Sequence, residues 1–179
     1  MAGSVLIAVV ALLAVWVVVS YNRLVGLRNQ ALNLWRRIDM QLKRRHDLIP
    51  SLVNTVRGSM AFERETLTAV MEARSKALTA TGPADAARKE GQLSQALARL
   101  LAVAEKDPAL ASNDNVKMLR EELSATENKV GVARQFYNDI ATTFNAAQQV
   151  FPASLFAATF GFAPAEPFDI TTPAEPRTE

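Results

Sequence analysis

Val5 to Val19 is an unbroken run of fifteen apolar residues, and no charged side chain occurs between Met1 and Asn22. A bilayer core takes roughly 20 largely apolar residues as a helix, and this stretch meets that length. Trp16 and Tyr21 lie toward its C-terminal end, where interfacial aromatics sit. The first cations, Arg23, Arg28, Arg36 and Arg37, all follow it. That bias predicts a single-pass membrane anchor, with the N-terminus outside and the following domain in the cytoplasm. A cleaved signal peptide is the competing reading. It lacks a basic leading region, and Val18 fits poorly before a cleavage after Ser20. A buried core helix of this composition would need a larger protein around it than 179 residues supply.

The remaining composition narrows the chemistry. The absence of cysteine excludes disulfides, thiolate metal sites and a thiol nucleophile. One histidine excludes any His–His metal pair, and no Gly-rich phosphate loop is present. The net charge of +2 provides no global field for nucleic acid. The charge is uneven, however. Residues 21–50 carry seven Lys/Arg against two Asp, and residues 51–179 carry thirteen against sixteen acids.

Proline divides the rest at Pro50, Pro83, Pro108 and Pro152. Leu24, Leu27, Ala31, Leu34, Ile38 and Leu42 recur at helical spacing, so a first helix is expected to run out of the anchor to about Arg45. Asp47 is expected to cap a second helix with Pro50 in its first turn. That helix carries Leu52, Val56, Met60, Leu67, Val70 and Ala77 on one side and stops at Gly82-Pro83. A third covers about Ala84 to Glu105, with Leu93, Leu97, Leu100 and Ala104 inward. Ser112-Asn113-Asp114 offers caps for a fourth, in which Val116, Leu119, Leu123, Val130, Tyr137 and Phe144 keep the period for about thirty residues. The fold class expected is therefore all-α: a transmembrane helix (1–21) continuing into an antiparallel up-down bundle of long helices (22–162). A Pro-rich acidic tail (163–179), extended or disordered, completes the chain.

In such a bundle the fourth helix returns to the bilayer. Phe151, Leu155, Phe156, Phe160 and Phe162 then become membrane-proximal candidates, either covering the bundle's open end or meeting lipid. Lys43, Arg44, Arg45 and His46 would lie ~30 Å from the membrane at 1.5 Å per residue. That is too far for headgroup contact across a screening length of about 8 Å. They are the partner-binding candidates, against the plainer reading of cations at a helix C-terminus.

The blocks Tyr21-Asn22-x-Leu24-Val25-x-Leu27-Arg28-Asn29, Trp35-x-x-Ile38-Asp39-x-Gln41-Leu42-Lys43-Arg44-Arg45-His46-Asp47-Leu48-Ile49-Pro50-x-Leu52-Val53, Glu121-Glu122-Leu123-x-x-Thr126-Glu127-Asn128, Ala133-Arg134-x-Phe136-Tyr137-Asn138, Phe151-Pro152 and Phe160-Gly161-Phe162 occur in order. With them the chain resembles the bacterial LemA family over about residues 1 to 168. The resemblance implies a single-pass membrane protein with a cytoplasmic helical bundle, and an association with envelope stress and a heat-shock membrane metalloprotease. It implies no activity. Two positions depart from the family pattern: Phe62 stands before Glu63 where a histidine is common, and Asp107 precedes Pro108 where a tyrosine is common.

No catalytic, metal or cofactor set emerges. His46-Asp47 reads as helix-end residues. Glu63, Glu65 and Glu72 read as a solvated face, without the Glu-x-x-His pairs of bundle metal sites. Asn29, Thr126, Asn128 and Asn138 lie on or beside seam positions and form a candidate interhelical polar set, each against the alternative of a surface residue. The expectation is a non-enzymatic interaction or scaffold protein of the envelope. Its partners would be the lipid bilayer and a membrane or envelope protein, with no nucleic acid and no cofactor. The alternative is a self-associating membrane-organising protein, a homo-oligomer.

Overall fold

The computed structural model describes residues 2–59 and 64–170. Met60, Phe62, Glu63 and the tail beyond Ile170, on which several expectations fall, lie outside the described residues. The fold is all-α, with no strand among the described residues. Four long helices, α1 (Ala2–Val56), α2 (Arg64–Leu78), α3 (Gly82–Lys106) and α5 (Asp114–Gln149), are joined by the single-turn α4 (Pro108–Ala111) and followed by the single-turn α6 (Ala153–Phe156).

The first helix departs from expectation. It does not end near Arg45 but continues through Pro50 to Val56, and Asp47 lies exposed in mid-helix rather than capping a helix start. A helical proline has no N–H to give the carbonyl four residues back, which here belongs to His46. Arg74 of α2 supplies that donor: its Nε lies 2.7 Å from the His46 carbonyl oxygen. The acceptor is thus satisfied by a neighbouring helix, and the chain need not break. α1 instead ends where Arg57 and Ser59 turn back onto the Val53 and Val56 carbonyls at 3.0 and 3.1 Å.

The later boundaries follow local chemistry. Gly82 begins α3 with φ 78°, a backbone state that costs glycine little. Asp85 accepts from the Thr81 amide at 3.0 Å and from Lys89 at 2.8 Å, and these contacts lower its pKa, Lys89 foremost. Asp107 precedes α4 and accepts from the Ala109 amide at 2.9 Å and from the Ser59 hydroxyl. The Ser59 bond, then the amides, hold its carboxyl below the usual range. Asn113 caps α5 as expected, accepting from the amides of Asn115 and Val116 at 2.9 and 3.2 Å.

The chain divides into two compact units. One comprises Arg36–Arg134 with Phe168 onward. Its core joins Ile49, Leu52 and Val56 of α1 to Val70 and Ala77 of α2, Leu93, Leu97 and Leu100 of α3, and Leu119 and Leu123 of α5. These are the positions that helical spacing selects, since one stripe of each helix must leave water together. The other unit comprises Met1–Trp35 with Gln135–Pro167. Its core gathers Leu24, Phe144, Ala153, Ala157 and Phe162.

The tail also differs from expectation over its first part. Residues 163–170 are non-helical but held. Asn145 grips Ala165 with both ends of its amide, at 2.9 Å to the carbonyl and 2.7 Å from the N–H. The Tyr137 hydroxyl donates to the Glu166 carbonyl at 2.7 Å, and Phe168 is fully buried. The buried side chains around this segment offset the entropy of ordering it, which composition alone does not register.

Candidate functional site

A buried polar cluster lies inside the Arg36–Arg134 unit. Arg45 and His46 follow Leu42 by three and four residues and precede Ile49 by four and three, so they fall on the buried stripe of α1. Glu90 of α3 precedes Leu93 and Leu97 by three and seven, and it too points inward. The three are at most 4% exposed. His46 Nε2 lies 2.5 Å from one Glu90 carboxylate oxygen, and Arg45 lies 3.4 Å from the other. Arg45 also donates to the Ser94 hydroxyl at 2.9 Å. An ionised carboxylate only accepts, so Nε2 carries the hydrogen of the His46–Glu90 bond. Among the described residues, His46 Nδ1 and Arg45 Nε have no hydrogen-bond partner. One carboxylate therefore serves two cationic or donor groups taken out of water, an arrangement that fixes how α1 and α3 meet.

This placement corrects the expected basic tip. Arg45 and His46 are mid-helix residues committed to α3 and offer no exposed charge. Lys43 and Arg44, on the other side of α1, are exposed. Lys43 pairs with Asp39 one turn earlier at 2.8 Å, which raises its pKa, and Arg44 approaches Glu122 at 3.7 Å. The four candidates thus split into two buried and two surface residues, because a run of four consecutive residues circles a helix rather than lying on one face.

The expected polar set is divided between the two units, with Asn29 and Asn138 in one and Thr126 and Asn128 in the other. Asn29 and Asn128 are exposed, and Thr126 is buried but spends its hydroxyl on the Leu123 carbonyl of its own helix at 2.7 Å. Asn138 is half-buried. Polar residues outside the expected sets that do bind between segments include Glu90, Ser94, Arg74, Tyr137 and Asn145. Of these, Glu90 carried a legible signal, an acid on an otherwise apolar helical stripe. Among the described residues no group of three or more His, Asp and Glu is placed to hold a metal, and Glu65 and Glu72 are exposed.

In the other unit the aromatic segment meets the end of the apolar run. Trp16 and Phe151 pack edge-on with centroids 5.2 Å apart. Tyr21 meets Phe160 at 5.4 Å and Phe162 at 5.6 Å, with Phe156 at 6.5 Å. Phe162 is buried and Phe156 half-buried, whereas Phe151, Leu155 and Phe160 remain exposed. The segment therefore both covers helix ends and presents apolar surface. Every residue from Ala2 to Val19 is exposed as well. Apolar area on that scale, left uncovered by protein, is what a hydrocarbon environment stabilises.

A helix long and apolar enough to cross a membrane, followed by packed helices, defines a class of membrane-associated all-α proteins. The chain belongs to the LemA family, whose model matches residues 34–179. It is also similar to magnetosome proteins MamQ 2 and MamQ 1 of Paramagnetospirillum magneticum (strain ATCC 700264 / AMB-1). Each is 34% identical over 79 residues, which is 44% of this chain and 29% of the relative.

Proposed function

We infer that the protein is a single-pass component of the bacterial inner membrane that acts as a non-enzymatic scaffold, docking an envelope protein through its helical domain. The observation that carries the reading is the wholly exposed Val5–Val19 run. Its flanking cations favour an outside N-terminus and a cytoplasmic domain. Binding rather than catalysis is supported by the fate of the single histidine, which is buried against Glu90. The link to envelope stress or membrane proteostasis rests on the family resemblance. The docking surface in this reading is the exposed pair Lys43 and Arg44, reduced from the four-residue patch by the burial of Arg45 and His46.

A photo-crosslinking residue at position 44 in living cells, with mass spectrometry of the products, tests it. One dominant membrane-protein product supports the scaffold. Self-products alone move the weight to a second reading, a self-associating membrane organiser, which the exposed Phe151, Leu155 and Phe160 favour. No product removes Lys43 and Arg44 as a docking surface.

A further inference from the structure

A groove of about 590 Å³ runs between α1 and α5 inside the unit that holds the anchor. Trp16, Val19 and Phe151 line one end, and Arg23, Thr142 and Thr143 line the other. The two helices run antiparallel here, since Trp16 touches Phe151 while Leu24 packs with Phe144. The groove is therefore graded along its length, apolar at the anchor end and cationic beyond it. From Trp16 to Arg23 is seven residues, ~10 Å of helix. The headgroup layer on one side of a bilayer is roughly 5–8 Å deep. Arg23 is exposed and, among the described residues, has no hydrogen-bond or ion-pair partner. Thr143 spends its hydroxyl hydrogen on the Asp139 carbonyl at 2.8 Å, so Thr142 supplies the hydroxyl at this end.

We propose that this groove holds one anionic phospholipid, its phosphate on Arg23 and Thr142 and its upper acyl chain against Trp16, Val19 and Phe151. The guanidinium matches the phosphate in charge and geometry, and the apolar gradient matches the lipid in direction. The inference rests on the membrane-anchor reading.

The protein has two tryptophans. In the full chain carrying Trp35→Phe, fluorescence reports Trp16 alone. The chain is reconstituted in phosphatidylcholine vesicles, with brominated phosphatidylglycerol or brominated phosphatidylcholine added at equal mole fraction. The expected result is stronger quenching by the anionic lipid, a relative association of about fivefold, the scale of one Arg at an anionic surface. Arg23→Gln, and Ala146→Phe, which fills the groove wall without changing charge, each bring the two lipids level. Arg28→Gln, exposed on the same helix but outside the groove, leaves most of the preference.

Equal quenching by both lipids in the parent chain overturns the site while leaving the anchor in place. So does an Arg28→Gln loss as large as that of Arg23→Gln, which would mean diffuse attraction. Excess inorganic phosphate abolishing the preference would make the ligand a free phosphate. A preference lost as the protein is diluted in lipid would assign the groove to a second copy. Either result overturns the lipid. Absence of quenching by either lipid overturns the anchor reading as well.

Discussion

Arg74 donates from α2 to the one α1 carbonyl that Pro50 cannot reach, that of His46, at 2.7 Å. The proline and the arginine therefore form a complementary pair although they do not bond each other. Arg74→Met leaves the His46 carbonyl without its donor and is expected to cost about 1–3 kcal/mol. Pro50→Ala restores an in-helix N–H, so the same Arg74→Met change is expected to cost less in that background. Thermal unfolding of the full chain in micelles, followed by circular dichroism through the four-member cycle, measures the coupling. Additive losses would mean that the Arg74 bond is not a substitute for the missing amide.

The Arg45–His46–Glu90 cluster makes a second cycle. Glu90→Leu strands two buried groups and is expected to destabilise by about 3–5 kcal/mol, with Glu90→Gln falling short of that because the amide oxygen still accepts. Replacing all three together, as Arg45→Met, His46→Leu and Glu90→Leu, removes the stranded groups and is expected to recover most of the loss. A triple variant no more stable than Glu90→Leu alone would show that the ion cluster contributes net stability rather than helix register.

Much of this architecture was legible because helical spacing is a local signal. The stripe from Leu24 to Leu42, the Leu93–Ala104 face and the Asn113 cap each follow from neighbours within a turn or two. What failed was non-local. Pro50 reads as a break unless Arg74, twenty-four positions away, is known to lie beside it. Arg45 and His46 read as surface cations unless Glu90 is recognised as an acid on an apolar stripe. The tail reads as extended or disordered from its prolines, because the Asn145 and Tyr137 bonds that hold Ala165 and Glu166 come from α5. Of the four candidates on α1, the structure thus leaves Lys43 and Arg44 at the surface and buries Arg45 and His46.

Tyr137 tests the docking of that tail. Its hydroxyl donates to the Glu166 carbonyl, and burial, then the Glu166 charge, raises its pKa above the ordinary tyrosine value of about 10. A group favoured in its neutral form by folding contributes fully below its unfolded pKa and loses that contribution as pH rises through the folded one. Stability is therefore expected to fall above about pH 10, and less so in Tyr137→Phe. At neutral pH Tyr137→Phe is expected to cost about 0.5–1.5 kcal/mol and to speed proteolytic cleavage within residues 163–170. Unchanged cleavage would place the restraint on the Asn145 bonds and the burial of Phe168.

Orientation is the last expectation, and the absence of native cysteine makes it directly measurable. The cations at 23, 28, 36 and 37 follow the apolar run, and short-loop Lys/Arg sets topology by staying on the cytoplasmic side. Gly3→Cys and Asn115→Cys both lie at exposed positions, one on each side of that run. With an impermeant thiol reagent, Gly3→Cys is expected to label in intact spheroplasts and Asn115→Cys only after lysis. The converse pattern would put the helical domain outside and move any partner of Lys43 and Arg44 to the other face of the membrane. Adding two arginines before Val5 while changing Arg23 and Arg28 to Gln should shift the labelling toward that converse, because the driving asymmetry is then reversed near the span.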